Sequence, residues 1–239
     1  MPDTSPPPSF ARTPRTRIRR HPERAHYDRD TVFAILDSAL MGHIGYVIDG
    51  LPYVTPTLFW REGERLYWHG SLASRMLRTQ AQRIPVCLTV AHMDALILAR
   101  SAFRHSMNYR AVMVFGTAEI VTDPKQKEAG FNAFIERVYP GRTGIMRDIN
   151  AQELKATSLI GMGIDEVSAK IRSGGPLDLE DDYGADCWAG TIPIVQRLGA
   201  RVPDPIAPPH ADPEPEIGHF AEGAALDQVL LAAARREGM

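Results

Sequence analysis

His43-Ile44-Gly45-Tyr46-Val47-Ile48-Asp49-Gly50-Leu51-Pro52-Tyr53-Val54-Thr55-Pro56-Thr57-Leu58-Phe59-Trp60 is the stretch on which the fold turns. Residues 43–48 are β-branched, aromatic or small and read as a strand. Asp49-Gly50 is a hairpin turn signal, because both positions tolerate the positive φ that a two-residue turn demands. Residues 51–60 return antiparallel. Pro52 and Pro56 lack an N–H to donate, so they place this strand at an edge or a bulge. Arg61-Glu62-Gly63-Glu64 turns the chain again, and residues 65–69 form a third strand. Three strands inside about 30 residues leave no room for helical crossovers, so the sheet is antiparallel.

The pattern extends in both directions. Upstream, residues 30–40 carry Val32, Phe33, Leu36 and Leu40 on one helical stripe. Downstream, residues 71–81 are predicted as a helix, residues 86–90 as a strand, and residues 94–99 as its continuation or return. Residues 110–121 are expected to form the longest strand, with Gly116 permitting a bend or a close approach. Residues 124–139 form a helix with Phe131, Phe134, Ile135 and Val138 inward. Residues 152–156 make a helical turn, residues 157–167 one further strand, and residues 188–195 a last extended piece. The sum is mainly β within an α+β class: a six-to-seven-stranded antiparallel barrel with short peripheral helices.

The chain ends read differently. Residues 1–24 hold six of the 19 prolines and a run of arginines (Arg12, Arg15, Arg17, Arg19, Arg20), and are expected to be an extended basic arm. Residues 201–218 are rich in proline and acid and form a stiff linker. Residues 219–239 contain a short Ala-rich helix, leaving 25–200 as the folded domain.

Composition narrows the function. The 239 residues are 44% hydrophobic and 23% charged, with 27 basic residues against 29 acidic, a net charge of −2. That balance gives no electrostatic ground for a nucleic-acid grip. Cys87 and Cys187 have no zinc spacing. No apolar run approaches the 18 residues of a membrane helix, and the first residues lack a basic-then-apolar leader pattern, so the expected compartment is the cytoplasm.

Two clusters carry chemistry. In Tyr67-Trp68-His69-Gly70-Ser71-Leu72-Ala73-Ser74-Arg75 a strand delivers an imidazole and two aromatics to a glycine. Hydroxyls and a guanidinium follow at the start of the predicted helix, a set suited to a phosphate. Ser71 as an ordinary helix cap, and Arg75 as a surface arginine, fit the same letters. The second cluster, Arg100 to Arg110, packs three arginines, His105, Asn108 and Tyr109 at the mouth of a strand.

These residues, with Phe115-Gly116, Glu153-Leu154-Lys155 and Trp188-Ala189-Gly190, resemble the flavin-binding split-barrel superfamily. More narrowly they are similar to the pyridoxamine 5'-phosphate oxidase-like proteins grouped with the 5-nitroimidazole-resistance flavoproteins. The resemblance runs from about residue 24 to 193. It implies a homodimer of split barrels with FMN at the subunit interface. It implies that Pro56, Thr57 and Leu58 line the isoalloxazine, that His69, Gly70 and Ser71 lie near the ring or ribityl chain, and that Ser74 and Arg75 hold the phosphate. Tyr109 and Arg110 match the strand closing on the cofactor, and Trp188 would cover the flavin from the facing subunit. The C-terminal Arg-Leu-His patch of authentic pyridoxamine phosphate oxidases is replaced by Gln196-Arg197-Leu198-Gly199, which argues against vitamin B6 oxidation.

The resulting expectation is an FMN-dependent oxidoreductase acting on a small molecule, with His69 as the catalytic proton donor. His69 as a structural histidine stands beside it. Three other readings remain open: a flavin-storage protein, a deazaflavin protein, and a haem protein with His43, His69, His92 or His105 as axial ligand.

Overall fold

The computed structural model describes residues 9–206 and 217–236. Ten strands form one antiparallel sheet, in the order β1-β9-β6-β5-β2-β3-β4-β8-β7, with β10 added on β5. The strands are β1 (Ala25–His26), β2 (Met41–Ile48), β3 (Leu51–Glu62), β4 (Arg65–Ser71), β5 (Pro85–Leu98), β6 (Ser106–Thr117), β7 (Glu119–Ile120), β8 (Thr157–Gly163), β9 (Glu166–Arg172) and β10 (Gly190–Pro193). The helices are α1 (Arg29–Asp37), α2 (Arg75–Gln80), α3 (Pro124–Val138), α4 (Ala151–Ala156) and α5 (Leu226–Arg236). This is the expected α+β split barrel, with more strands than the sequence suggested because β1 and β7 have two residues each and residues 157–167 span two strands.

Asp49 and Gly50 have φ of 50° and 77°, the two positive values of a tight hairpin turn, and β2 and β3 pair in register from Met41↔Leu58 to Ile48↔Leu51. Residues 94–98 continue β5 rather than returning, with a register shift between Met93 and Ala95. That makes β5, not the strand through Gly116, the longest. Residues 157–167 divide into β8 and the start of β9, turning at Ile164-Asp165. The helix expected over 71–81 begins only at Arg75, because β4 runs on to Ser71 while paired to β8. Within the C-terminal segment the helix begins at Leu226.

The core lies inside the curled sheet. Trp68, Leu66, Phe59, Ile44, Leu88, Val112, Val114, Ile160 and Met162 are essentially inaccessible, each stabilising by about 1.5–3 kcal/mol. Phe10 belongs to the same cluster, Tyr27 Oη donates to Thr16 O, and Thr13 Oγ1 donates to Glu166. The chain therefore packs on the barrel from Ser9 onward, including part of the segment read as an arm. Residues 1–8, and the linker residues 207–216, lie outside the described residues.

Gly116 closes the barrel: a Cβ there would lie 2.6 Å from Gly163 O and from Met162 Cγ, so β6 meets β8 backbone to backbone. Outside the barrel, a buried carboxylate fixes α1, β3 and α3 together. Asp37 accepts from Arg61 Nε at 2.8 Å and from Arg137 Nη2 at 2.6 Å, while Arg137 Nη1 donates to the Arg61 carbonyl. All three ions are mostly desolvated, and the paired geometry offsets that cost. No helix among the described residues is long and apolar enough to cross a membrane.

Candidate functional site

The barrel is split between β3 and β4. β3 pairs with β2 along its whole length, but with β4 only from Phe59↔Trp68 to Glu62↔Arg65. From Leu51 to Leu58 its other backbone edge is open. Pro52 and Pro56 sit there, as the missing N–H of proline requires. Alternation along β3 turns Tyr53, Thr55 and Thr57 to the side of Ile44 and Tyr46, and all three are half-buried at the gap. Tyr46 and Thr55 share a hydroxyl hydrogen bond of 3.0 Å, and the Tyr46 and Tyr53 rings stack at 5.7 Å.

The far lip of the gap is the end of β4 and α2. A Cβ on Gly70 would lie 2.9 Å from Leu77 Cδ1, so glycine lets α2 settle against the strand. Ser71 Oγ accepts from Ala73 N–H, and Ser74 Oγ caps α2 by accepting from Leu77 N–H. Arg75 reaches across: Nη2 donates to Tyr53 Oη at 3.3 Å, with its guanidinium 5.2 Å over the ring. Pro56, Thr57, Leu58, Gly70, Ser71, Ser74 and Arg75 are thus brought to one opening.

The remaining sequence candidates lie elsewhere. Arg110 sits on the inward face of β6 and is held by Asp94 at 2.7 Å and Asp227 at 2.9 Å, so its charge serves to dock α5. Tyr109 points to the other face, and Trp188 is 63% exposed beside Gly190 near the β5–β6 hairpin. Within this single chain none of the three makes a hydrogen bond, ion pair or ring contact with Ser74 or Arg75 among the described residues.

His69 departs from its expected place beside the gap. Trp68 faces the core, so the next residue faces out, under α3. There the imidazole meets Phe131 edge-on at 5.4 Å, with Phe134 and Trp60 at 6.5 and 6.0 Å. Nδ1 is buried without a partner, and neither ring nitrogen makes a hydrogen bond among the described residues. Desolvation lowers its pKa, keeping the ring neutral and able to donate a lone pair. It opens on a cavity of about 460 Å³ walled by Phe131, Phe134, Ile135, Met146 and Ile149, with Arg147 and Glu153 at the polar side. The size is that of a small-molecule site.

The other histidines differ. His92 Nε2 is 3.0 Å from Ser38 Oγ, His105 Nδ1 is 3.0 Å from Ser101 O, and His43 is exposed on the outer sheet face. The helical spacing of Phe131, Phe134 and Ile135 predicted an inward face. That this face would cover His69 was invisible without the β4–α3 packing.

An antiparallel split barrel, open beside a helix that carries serine and arginine, defines a flavin-binding split-barrel class of protein. Residues 28–171 match the family model described as pyridoxamine 5'-phosphate oxidase. The chain belongs to that family.

Two solved structures are similar over nearly their whole length. The flavocytochrome Anf3 from Azotobacter vinelandii is 40% identical, with 90% of this chain and 100% of that one covered, at a TM-score of 0.83. The FAD and heme binding protein from Mycobacterium smegmatis is 31% identical, with 84% and 98% covered, at 0.80. A chain named for 5-nitroimidazole antibiotic resistance from Bacteroides thetaiotaomicron is more distant, 19% identical over 62% and 86%, at 0.47. No match was found among curated proteins.

Proposed function

We propose that this protein is a redox protein carrying two groups: a flavin in the split between β3 and β4, and a haem in the cavity beside His69. The observation that carries the reading is His69 itself, a neutral imidazole wedged among aromatic rings, with neither nitrogen hydrogen-bonded among the described residues, at the wall of a mainly apolar cavity. An orphaned buried nitrogen is costly unless it serves something. A planar, largely apolar macrocycle whose central iron takes an imidazole nitrogen would suit these walls and this donor. The 40%-identical relative is named a flavocytochrome, and the 31%-identical one is named for FAD and haem.

The flavin half follows from the gap. The open edge of Pro56, Thr57 and Leu58 supplies backbone groups for the polar rim of an isoalloxazine, and Ser71, Ser74 and Arg75 supply donors for a phosphate. The resemblance of the sequence pointed to FMN; the relative named for FAD favours the dinucleotide. When bound, the flavin and the haem supply the electron chemistry, and the protein supplies placement and field. His69 would then hold the haem iron rather than donate a proton to substrate.

A second copy of the chain is part of this reading. Met41, Val54, Leu58, Met93 and Met113 share the outer face of the sheet and are all exposed, an apolar stripe of the kind a partner covers. A facing subunit would bring Tyr109 and Trp188 toward the other copy's gap.

The test is the absorption spectrum of purified protein with mass analysis of the released cofactors. Two broad visible flavin bands together with a sharp Soret band are expected, and His69→Ala should abolish or shift the Soret band while sparing the flavin bands. A purified protein that binds neither added flavin nor added haem would overturn the proposal.

A further inference from the structure

We propose that Arg147 binds the carboxylate edge of the planar group held beside His69, and that Glu153 is the latch it leaves to do so. The inference rests on the haem reading of the cavity and assigns this chain's own residues to the anionic side of that group.

The cavity is amphiphilic. Its walls are apolar, a lone-pair nitrogen stands at one place on them, and Arg147 is the cation among the lining residues. An apolar plane bearing acids along one edge matches that distribution, since an acid directed at Phe131 or Ile149 would lose its hydration with no partner. Arg147 presents five donors. Nη1 and Nη2 donate to the two carboxylate oxygens of Glu153, the first at 2.9 Å, and Nη1 also donates to Asp148 O at 3.0 Å. The side chain is 70% exposed, so solvent screens the forked pair and exchanging one carboxylate for another costs little.

Glu153 tolerates the exchange. It belongs to the capping box of α4: Asn150 N–H donates to Glu153 Oε2 at 3.0 Å, and Glu153 N–H donates to Asn150 Oδ1 at 2.9 Å. Those bonds remain when Arg147 turns to another carboxylate, so neither the helix end nor Glu153 is orphaned. Two carboxylates then compete for one guanidinium. Removing Arg147 must therefore weaken binding of the diacid, and neutralising Glu153 must strengthen it.

The experiment is an absorbance titration of the full-length protein, purified without its haem, with haemin and with haemin dimethyl ester. For haemin, Arg147→Met is expected to raise Kd about tenfold or more, and Glu153→Gln to lower it several-fold. For the ester, which has no free carboxylates, both variants should match the parent. Equal haemin affinity across the three proteins would overturn the proposal, as would changes of the same size with the ester. If Arg147→Met proves unfolded by its melting curve, the affinity gain of Glu153→Gln over the parent decides alone. His69→Ala is run in parallel: unchanged haemin affinity and an unchanged Soret band there would remove the haem reading itself, a result distinct from failure of the Arg147 assignment.

Discussion

Arg75 donates to Tyr53 Oη at 3.3 Å and so bridges the opening between β3 and β4. The two residues come from opposite lips of the split, and their contact occupies the place proposed for the flavin phosphate. A bound phosphate would exchange this weak neutral acceptor for a charged one. Arg75→Ala should therefore weaken flavin binding by about 1.5–3 kcal/mol, roughly 10- to 100-fold, while leaving the melting temperature almost unchanged. Tyr53→Phe keeps the ring and loses one long bond, so its effect should stay within about threefold. Quenching of flavin fluorescence on titration measures both; equal affinities for Arg75→Ala and the parent would place the phosphate elsewhere.

The glycine that closes the barrel makes a sharper prediction about stability. At Gly116 an added methyl would meet Gly163 O at 2.6 Å, a backbone atom that cannot rotate away, as well as Met162. Gly116→Ala should cost about 1–3 kcal/mol, read from the urea midpoint. Gly175→Ala, where a Cβ meets nothing within 4 Å, is the matched control and should be near neutral.

Much of this was legible from the sequence, for a physical reason. The Asp49-Gly50 turn and the alternation on either side of it are local signals, and they fixed the hairpin register before any packing was known. Ser74 and Arg75 follow a strand at short range, so their position on the lip also followed from local order. His69 shows where that kind of reading ends. The letters place it one residue before Gly70, but a strand turns neighbouring side chains to opposite faces, and which face is the core depends on β8 and α3. The pairing of Arg110 was hidden for a similar reason: its partner Asp227 is 117 residues away along the chain. Arg147 lies in no motif, and Glu153 stands out only as part of Glu153-Leu154-Lys155, because an exposed i, i+6 ion pair leaves no local signal in the sequence.

Acid should weaken the fold through its buried imidazoles. Burial lowers the pKa of His69, and burial with the nearby Arg110 charge lowers that of His92. Both rings are then neutral in the fold at a pH where the unfolded chain, with histidine near its ordinary value of about 6.5, already takes up protons. The stability they preserve is complete above that ordinary value and is lost as pH falls through their depressed values. The melting temperature should decline from pH 7.5 toward pH 5.5, and His69→Gln should flatten part of that decline. A melting temperature for His69→Gln that falls as steeply as the parent's would mean that His69 charges freely in the fold.

The last helix tests whether a charge cluster or apolar contact holds it. α5 buries Leu230 and Ala233, and its first turn places Asp227 on Arg110, which Asp94 already engages with two oxygens. Removing Asp227 takes away one of two carboxylates and leaves Arg110 paired, so Asp227→Ala should cost only about 1 kcal/mol. Removing Arg110 leaves Asp94 and Asp227 facing each other without a cation, partly desolvated, so Arg110→Ala should cost about 2–4 kcal/mol. The double variant Arg110→Ala with Asp227→Ala relieves that repulsion and should recover part of the loss, a coupling that a purely apolar dock would not produce. Urea unfolding gives the three free energies, and limited proteolysis between residues 196 and 226 reports the release of α5. Single and double variants that sum without coupling would assign the docking to Leu230 and Ala233 instead.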